Sequence, residues 1–296
     1  MNETGTTAGR IAALRERGVV AVTGPEAADF LHGVVTATIK TIRPGEGRFG
    51  ALLTPQGKVL FDFFVTRIDD GFLIDVARAQ VADFVRRLGF YRLRAAVKIA
   101  DRSADFEVHV GFGGPIAVPE GAIAFADPRH AGLGSRLLVP PSVRIESTAT
   151  AQDWQATRID LGVPESGRDF ALGEVFPHDV DMDDLGGVDF KKGCFIGQEV
   201  VSRMKHRGTA RRRTILAHAR EARPAWPDVG TEITCGDKVL GTIGSAHART
   251  ALALVRLDRA KDALDSGDAI EVGGVSVTLD LPEFASFHWP EGAAAD

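Results

Sequence analysis

Two turn signals, Pro55-Gln56-Gly57 and Asp69-Asp70-Gly71, bracket the run KVLFDFFVTRI and constrain this chain more than any other feature. Aromatic and β-branched residues between Gly- and Pro-containing turns read as a strand. FGALLT before the first turn and FLIDVA after the second supply its neighbours. The expectation is three adjacent antiparallel strands. In the middle strand, alternation sets Leu60, Asp62 and Phe64 on one face and Val59, Phe61, Phe63 and Val65 on the other. Asp62 therefore stands out: a carboxylate among apolar neighbours must find donors, either as a structural acceptor or against a ligand's N–H edge.

Around this sheet the pattern alternates in type. Val19 to Val22 form a short strand, after which Thr23 or Gly24 can cap a helix that has Pro25 at its first position. Ala27, Phe30, Leu31 and Val34 then share one helical face. Val81, Phe84, Val85 and Leu88 repeat that spacing, with Gly89 placed to end the helix. AAVKIAD and FEVHVGFG are further strands, residues 111–150 read as irregular structure with short strands, and a helix is expected over 153–161. After Gly208 the chain becomes a series of short β-rich runs divided by Gly and Asp turns, which predicts a small barrel.

Composition excludes several function classes. Thirty-five Lys and Arg against 40 Asp and Glu give a net charge of -5, which argues against direct nucleic-acid binding by the protein as a whole. Two cysteines, Cys194 and Cys235, supply neither a disulfide scaffold nor a four-cysteine metal site and suit a reducing compartment. No apolar run approaches the roughly 18 to 20 residues needed to cross a bilayer. The start, MNETGTTAGR, resembles neither a signal nor a transit peptide, so the expectation is a soluble cytoplasmic protein without membrane partners. GEGRFG has dinucleotide-loop spacing, but a strand follows it rather than a helix, so it reads as a turn. The nucleotide-loop, metalloprotease, dithiol and serine-hydrolase motifs are absent, and no metal site is expected.

The segment 187–213, GVDFKKGCFIGQEVVSRMKHRGTARRR, concentrates the chemistry. A short helix is expected from Gly197 to Arg207, which places Cys194 just before a helix N-terminus and beside Lys191 and Lys192. Both features favour a thiolate, so Cys194 is the candidate reactive sulfur and Lys192 its partner. From 191 to 213, eight cations (191, 192, 203, 205, 207, 211, 212, 213) face one Glu (199), a local +7 that leaves -12 for the remainder. Such a patch suits a small polyanion or an RNA backbone.

As a block, KKGCFIGQEVVSRMKHRG resembles the signature of the YgfZ family of folate-binding proteins, K-G-C-[YF]-x-G-Q-E followed by a basic residue and R-G or a similar pair. GVVAVTGPEAADFLHGVVT, ALLTPQGKVLFDFFV, TRIDLGVPE and FPHDVDMDDLGGVDF are similar in the same order, so the resemblance covers most of the chain. That family lies in the superfamily of the glycine cleavage T protein. The resemblance implies an α+β fold: a multi-lobed folate-binding body of antiparallel sheets and helices over residues 1–209, and a C-terminal β-barrel over 210–296. It further implies tetrahydrofolate, or a one-carbon derivative, as cofactor. The partners implied are iron–sulfur client proteins or cluster-assembly proteins, some clients being tRNA-modifying enzymes.

Compared with the T protein, this chain is shorter, lacks its Gly-Tyr-Thr-Gly-Glu stretch and has Phe61-Asp62 where that protein has an Asp pair. These departures favour an accessory factor over an aminomethyltransferase. Within the YgfZ pattern, Asp179 replaces an expected Glu, and Asp181 stands where Asn is common. Asp62 is the candidate acceptor for a pterin's adjacent N–H groups, with Asp160 and Glu199 behind it and Gly193, Gly197 and Gln198 beside it. Arg158, Arg203 and Arg207 are candidates for the anionic glutamate tail. The alternatives are a folate-dependent aminomethyl- or methyltransferase using the same pocket, and an RNA-contacting protein acting through the 203–213 basic segment.

Overall fold

The computed structural model describes residues 8–208, 210–222 and 224–290. Residues 1–7, which carry most of the leader reading, and Thr209, the last residue of the expected first domain, lie outside the described residues. The chain divides into two compact units, residues 1–155 with 185–198 and residues 156–184 with 199–296.

In the first unit, β3 (Gly47–Leu53), β4 (Val59–Ile68) and β5 (Gly71–Ala77) form the antiparallel meander that the two turns predict. Gly57 takes φ +83°, a left-handed value natural to glycine, and donates its N–H to Thr54 O at 2.8 Å to close the first turn. Beyond β5 the sheet continues with β2 (Arg17–Thr23) and β6 (Lys98–Asp101), in the order β3-β4-β5-β2-β6. Helices α1 (Ala27–Val34) and α2 (Val81–Arg92) cover one face of it. Ala27, Phe30, Leu31 and Val34 from α1, and Val81, Phe84 and Leu88 from α2, join Phe61, Phe63 and Val65 of β4 in one core. Each fully buried Leu, Phe or Val contributes about 1.5–3 kcal/mol. Gly89 does not end α2, which runs on to Arg92. One interior glycine costs a helix about 1 kcal/mol, less than the anchoring of Leu88, which is fully buried.

A second sheet, in the order β1-β7-β9-β8, consists of β1 (Arg10–Ala13), β7 (Glu107–Phe112), β8 (Ile123–Ala126) and β9 (Ser135–Val139). Two of its strands, β8 and β9, come from the stretch expected to hold irregular structure with short strands. Arg136 of β9 joins the two sheets: its guanidinium meets Asp75 of β5 at 2.7 Å and Asp127 at 3.3 Å, all three side chains being buried. Arg17 and Arg129 complete the cluster, at 2.6 Å from Asp75 and 2.9 Å from Asp127. Three guanidinium groups thus converge on two carboxylates in this cluster. The Phe64 ring lies beneath it, 3.8 Å from the Arg136 guanidinium carbon and 4.7 Å from that of Arg129.

The second unit holds the closed barrel β10-β13-β12-β11-β14-β15. Its strands are β10 (Arg212–Ala219), β11 (Glu232–Cys235), β12 (Lys238–His247), β13 (Thr250–Arg256), β14 (Ile270–Val272) and β15 (Val275–Asp280). Helix α5 (Leu257–Ser266) packs Leu257, Ala260 and Ala263 against the barrel core. Helices α3 (Ala151–Asp160) and α4 (Gln198–Arg207) match the two expected in those regions. No helix among the described residues is long and apolar enough to cross a membrane.

Candidate functional site

The loop from Gly187 to Gln198 is built onto the first unit by side chains on both sides of Cys194. Thr36, fully buried, donates its hydroxyl to Gly187 O at 2.6 Å and accepts from Ala51 N of β3 at 2.8 Å. Asp189 then organises the next turn. Its Oδ1 accepts from the backbone N–H groups of Lys191 (2.8 Å) and Lys192 (3.2 Å), and its Oδ2 accepts from the Thr38 hydroxyl at 2.5 Å. Burial pushes the Asp189 carboxyl up, but these three donors and the Lys192 charge outweigh it and hold the group below the usual carboxylate range.

Lys192 anchors the middle of the loop. Its Nζ donates to His32 O and Val35 O, each at 2.5 Å, and so satisfies carbonyls at the C-terminal end of α1. Burial brings its ammonium down to about 8, with Asp189 acting against that shift. Phe195 is buried on the other side of Cys194. Gly197 adopts φ +78°, and a Cβ there would stand 2.5 Å from Thr54 O, so only glycine lets the loop lie on the β3–β4 turn. Between these anchors Cys194 is exposed, whereas Cys235 is buried in the barrel. An exposed thiol on a loop fixed at both flanks can ligate a metal or attack a disulfide without prior rearrangement. Asp189 and Thr38 were missed in the sequence. The signal was an Asp opening the turn D-F-K-K-G, the usual start of an Asx turn.

The remaining candidates fall in both units. Asp62 lies in β4 of the first unit, 8% exposed and opposite Ala51 of β3. Arg158 belongs to the second unit and is fully buried. Its Nη1 donates to Val163 O and to Asp169 Oδ2, both at 2.6 Å, and its Nη2 reaches Ser245 Oγ at 3.3 Å. Asp160 is half exposed and 3.1 Å from His247 Nδ1. Glu199 and Arg203 are exposed and pair with each other, and Arg207 is also exposed. Other members of the basic segment, Lys205, Arg211 and Arg213, line a cavity of about 620 Å³ together with Met204, Phe287 and His288.

Behind that cavity the motif FPHDVDMDD forms a charged core. Asp181 takes φ +56°, a conformation that Asn and Asp tolerate better than other residues, which accounts for the residue type at this position. Burial raises its carboxyl well above the ordinary value, against the opposing Arg213 charge. Arg213 grips Asp183 through two N–H groups, at 2.6 and 3.0 Å. His178 is 1% exposed, and burial lowers its imidazole to about 4, with Asp183 opposing. A folded value below the unfolded one of about 6.5 makes this contribution to stability complete above pH 6.5 and lost as pH falls toward 4. Asp181 titrates with the opposite sign, so the comparison needs a variant. The stability gap between the wild type and His178→Gln should narrow by roughly 2 kcal/mol between pH 7 and pH 4.5 in urea titrations. A gap that stays constant with pH would show that the imidazole is not held neutral.

Comparisons with known proteins agree with this architecture. Residues 9–117 match the family model described as the GCVT N-terminal domain, and residues 211–287 match that of the CAF17 C-terminal beta-barrel domain. The chain is 33% identical over 227 residues to the iron-sulfur cluster assembly factor IBA57 homolog, mitochondrial, of Pyricularia oryzae, covering 69% of this chain and 56% of that protein. It is 27% identical over 311 residues to the iron-sulfur cluster assembly factor IBA57, mitochondrial, of Mus musculus, covering 94% and 84%. The chain spans about half the length of the Pyricularia oryzae, Neurospora crassa and Mycosarcoma maydis relatives it matches. Among solved structures, the glycine cleavage system aminomethyltransferase T from Bartonella henselae superposes with a TM-score of 0.71 at 13% identity, over 96% of this chain and 88% of that one. The fold is thus that of the T protein. The expected cytoplasmic location is overturned by these relatives, whose names place them in mitochondria. That expectation rested on a low cysteine count and a missing leader pattern, and neither separates one reducing compartment from another.

Proposed function

We propose that this chain, which joins a GCVT N-terminal domain to a CAF17-type C-terminal barrel domain, is an accessory protein of iron–sulfur cluster assembly of the YgfZ type. It binds tetrahydrofolate or a one-carbon derivative and presents the Cys194 thiol to a client or cluster-assembly protein, tRNA-modifying enzymes being among the clients. The observation that carries this reading is the exposed Cys194 on a loop held by Asp189, Lys192 and Phe195. The names of the relatives support the cluster-assembly part of it.

The chemistry of Asp62 fits a reduced pterin. Its carboxylate is buried in a strand rich in Phe, and a pterin combines a flat ring suited to a dry slot with adjacent N–H donors suited to a carboxylate. Tetrahydrofolate, when bound, supplies a carrier for a one-carbon unit. Gly197 lets the loop backbone lie close on the β3–β4 turn of the same unit, and Gln198 offers a polar group. In the second unit, taken by itself, the exposed Arg203 and Arg207 suit an anionic group, and Arg158, engaged by Asp169, orders its own segment.

Calorimetric titration with tetrahydrofolate tests the cofactor. A charge-assisted contact is worth about 1.5–3 kcal/mol, so Asp62→Asn should weaken binding at least tenfold. Absence of binding to the wild-type chain, or unchanged affinity in Asp62→Asn, would remove folate or Asp62 from the proposal. Turnover of a folate one-carbon donor would favour a transferase instead.

A further inference from the structure

We propose that the outward face at the end of α2, where Phe90 and Leu93 stand among five cations, is a docking surface for an acidic partner protein. The inward side of α2 is already committed, with Val81, Phe84 and Leu88 buried in the core of the first unit. Arg86 and Arg87, four and three residues before Phe90, share its outer face at helical spacing. Phe90 is 65% exposed and Leu93 87% exposed, two of the four most exposed large hydrophobic residues among the described residues. The Arg87 guanidinium lies 6.0 Å from the Phe90 ring, on the solvent side of the helix.

Leu93 is the stronger pointer. It ends α2 with φ +46°, a value where glycine is usual and an L-residue is strained. Its side chain recovers none of this by burial. Folding alone would favour glycine here, so the leucine side chain acts outside the fold.

Charge selects the partner. Residues 86–98 contain Arg86, Arg87, Arg92, Arg94 and Lys98 and no acid, a local +5 in a chain of net -5, which leaves -10 elsewhere. All five are exposed. Arg86 pairs with Asp83, and among the described residues the other four have no carboxylate partner. Leu93, Arg92, Arg94 and Lys98 also line an open hollow of about 610 Å³ whose one acid is Asp70. Two apolar anchors within a cationic rim match the usual anatomy of a protein interface. A membrane surface would require a longer apolar stripe than two residues. A nucleic-acid backbone would make no use of Leu93.

The test uses the full chain and three probes: a synthetic peptide alternating Glu with Phe and Leu, polyglutamate of equal length, and phosphatidylglycerol vesicles. The acidic apolar peptide should bind with an affinity that falls as salt rises. It should bind at least tenfold more weakly to Phe90→Ser/Leu93→Gly, whose thermal midpoint should be no lower than that of the wild type because glycine relieves the backbone at 93, and to Arg87→Glu/Arg94→Glu, whose midpoint should be unchanged. Polyglutamate should respond to the charge variant alone. Equal peptide affinity for the wild type and both variants, or no peptide binding at all, would overturn the proposal. So would capture by vesicles through Phe90 and Leu93 without peptide binding.

Discussion

Replacing Arg136 with alanine should cost about 3–5 kcal/mol of stability, enough to bring a domain of ordinary stability, about 5–15 kcal/mol, close to unfolding. The side chain is fully buried and holds two carboxylates that have no access to water, Asp75 through Nε and Nη2 and Asp127 through Nη1. Arg17 and Arg129 would remain, yet neither lies between the two acids as Arg136 does. Truncation would therefore strip Asp75 Oδ2 and Asp127 Oδ2 of their Arg136 contacts in a low-dielectric site, and empty the space above the Phe64 ring. Arg136→Lys keeps the charge but loses the planar fork that reaches both acids, so it should lie between the wild type and the alanine variant. Urea midpoints at pH 7 give the comparison. A loss below about 1 kcal/mol for Arg136→Ala would mean the cluster contributes no more than a surface ion pair.

The same cluster explains what could and could not be read from the sequence. The meander of β3, β4 and β5, the inward faces of α1 and α2 and the barrel were legible, because each shows a period or a turn that one element imposes by itself. Strands β8 and β9 were legible only as unplaced short strands within 111–150. In β9 the residues from Arg136 to Val139 are all buried, so no alternation appears, and the nearby Asp127, Arg129 and Arg136 look like surface residues unless their partners in other segments are known. At the candidate site the motif located Cys194, yet Lys192, expected as its chemical partner, has its Nζ on the carbonyls of His32 and Val35. Those acceptors lie about 160 residues earlier in the chain, and no local pattern reports them. Thr38, which holds Asp189, is hidden in the same way.

The largest functional effect is expected at Cys194. In the native chain its alkylation by iodoacetamide should outpace that of Cys235 by about a hundredfold. Cys235 lies within the barrel core, and its modification must await a local opening, which at 2–3 kcal/mol leaves about 1% of molecules reactive. Equal rates at the two cysteines would contradict the exposed placement of Cys194. Cys194→Ser should then abolish support of cluster assembly on an iron–sulfur client while leaving the thermal midpoint unchanged, since an exposed side chain contributes little to the core. Asp189→Ala separates position from chemistry. It keeps the thiol but removes the acceptor of the Lys191 and Lys192 N–H groups and of the Thr38 hydroxyl. Activity in Asp189→Ala should therefore fall with little change in alkylation rate, because a looser loop still exposes the sulfur but no longer fixes its direction. Full activity in Cys194→Ser would show that the thiol is not the working group and would leave the folate site to carry the function.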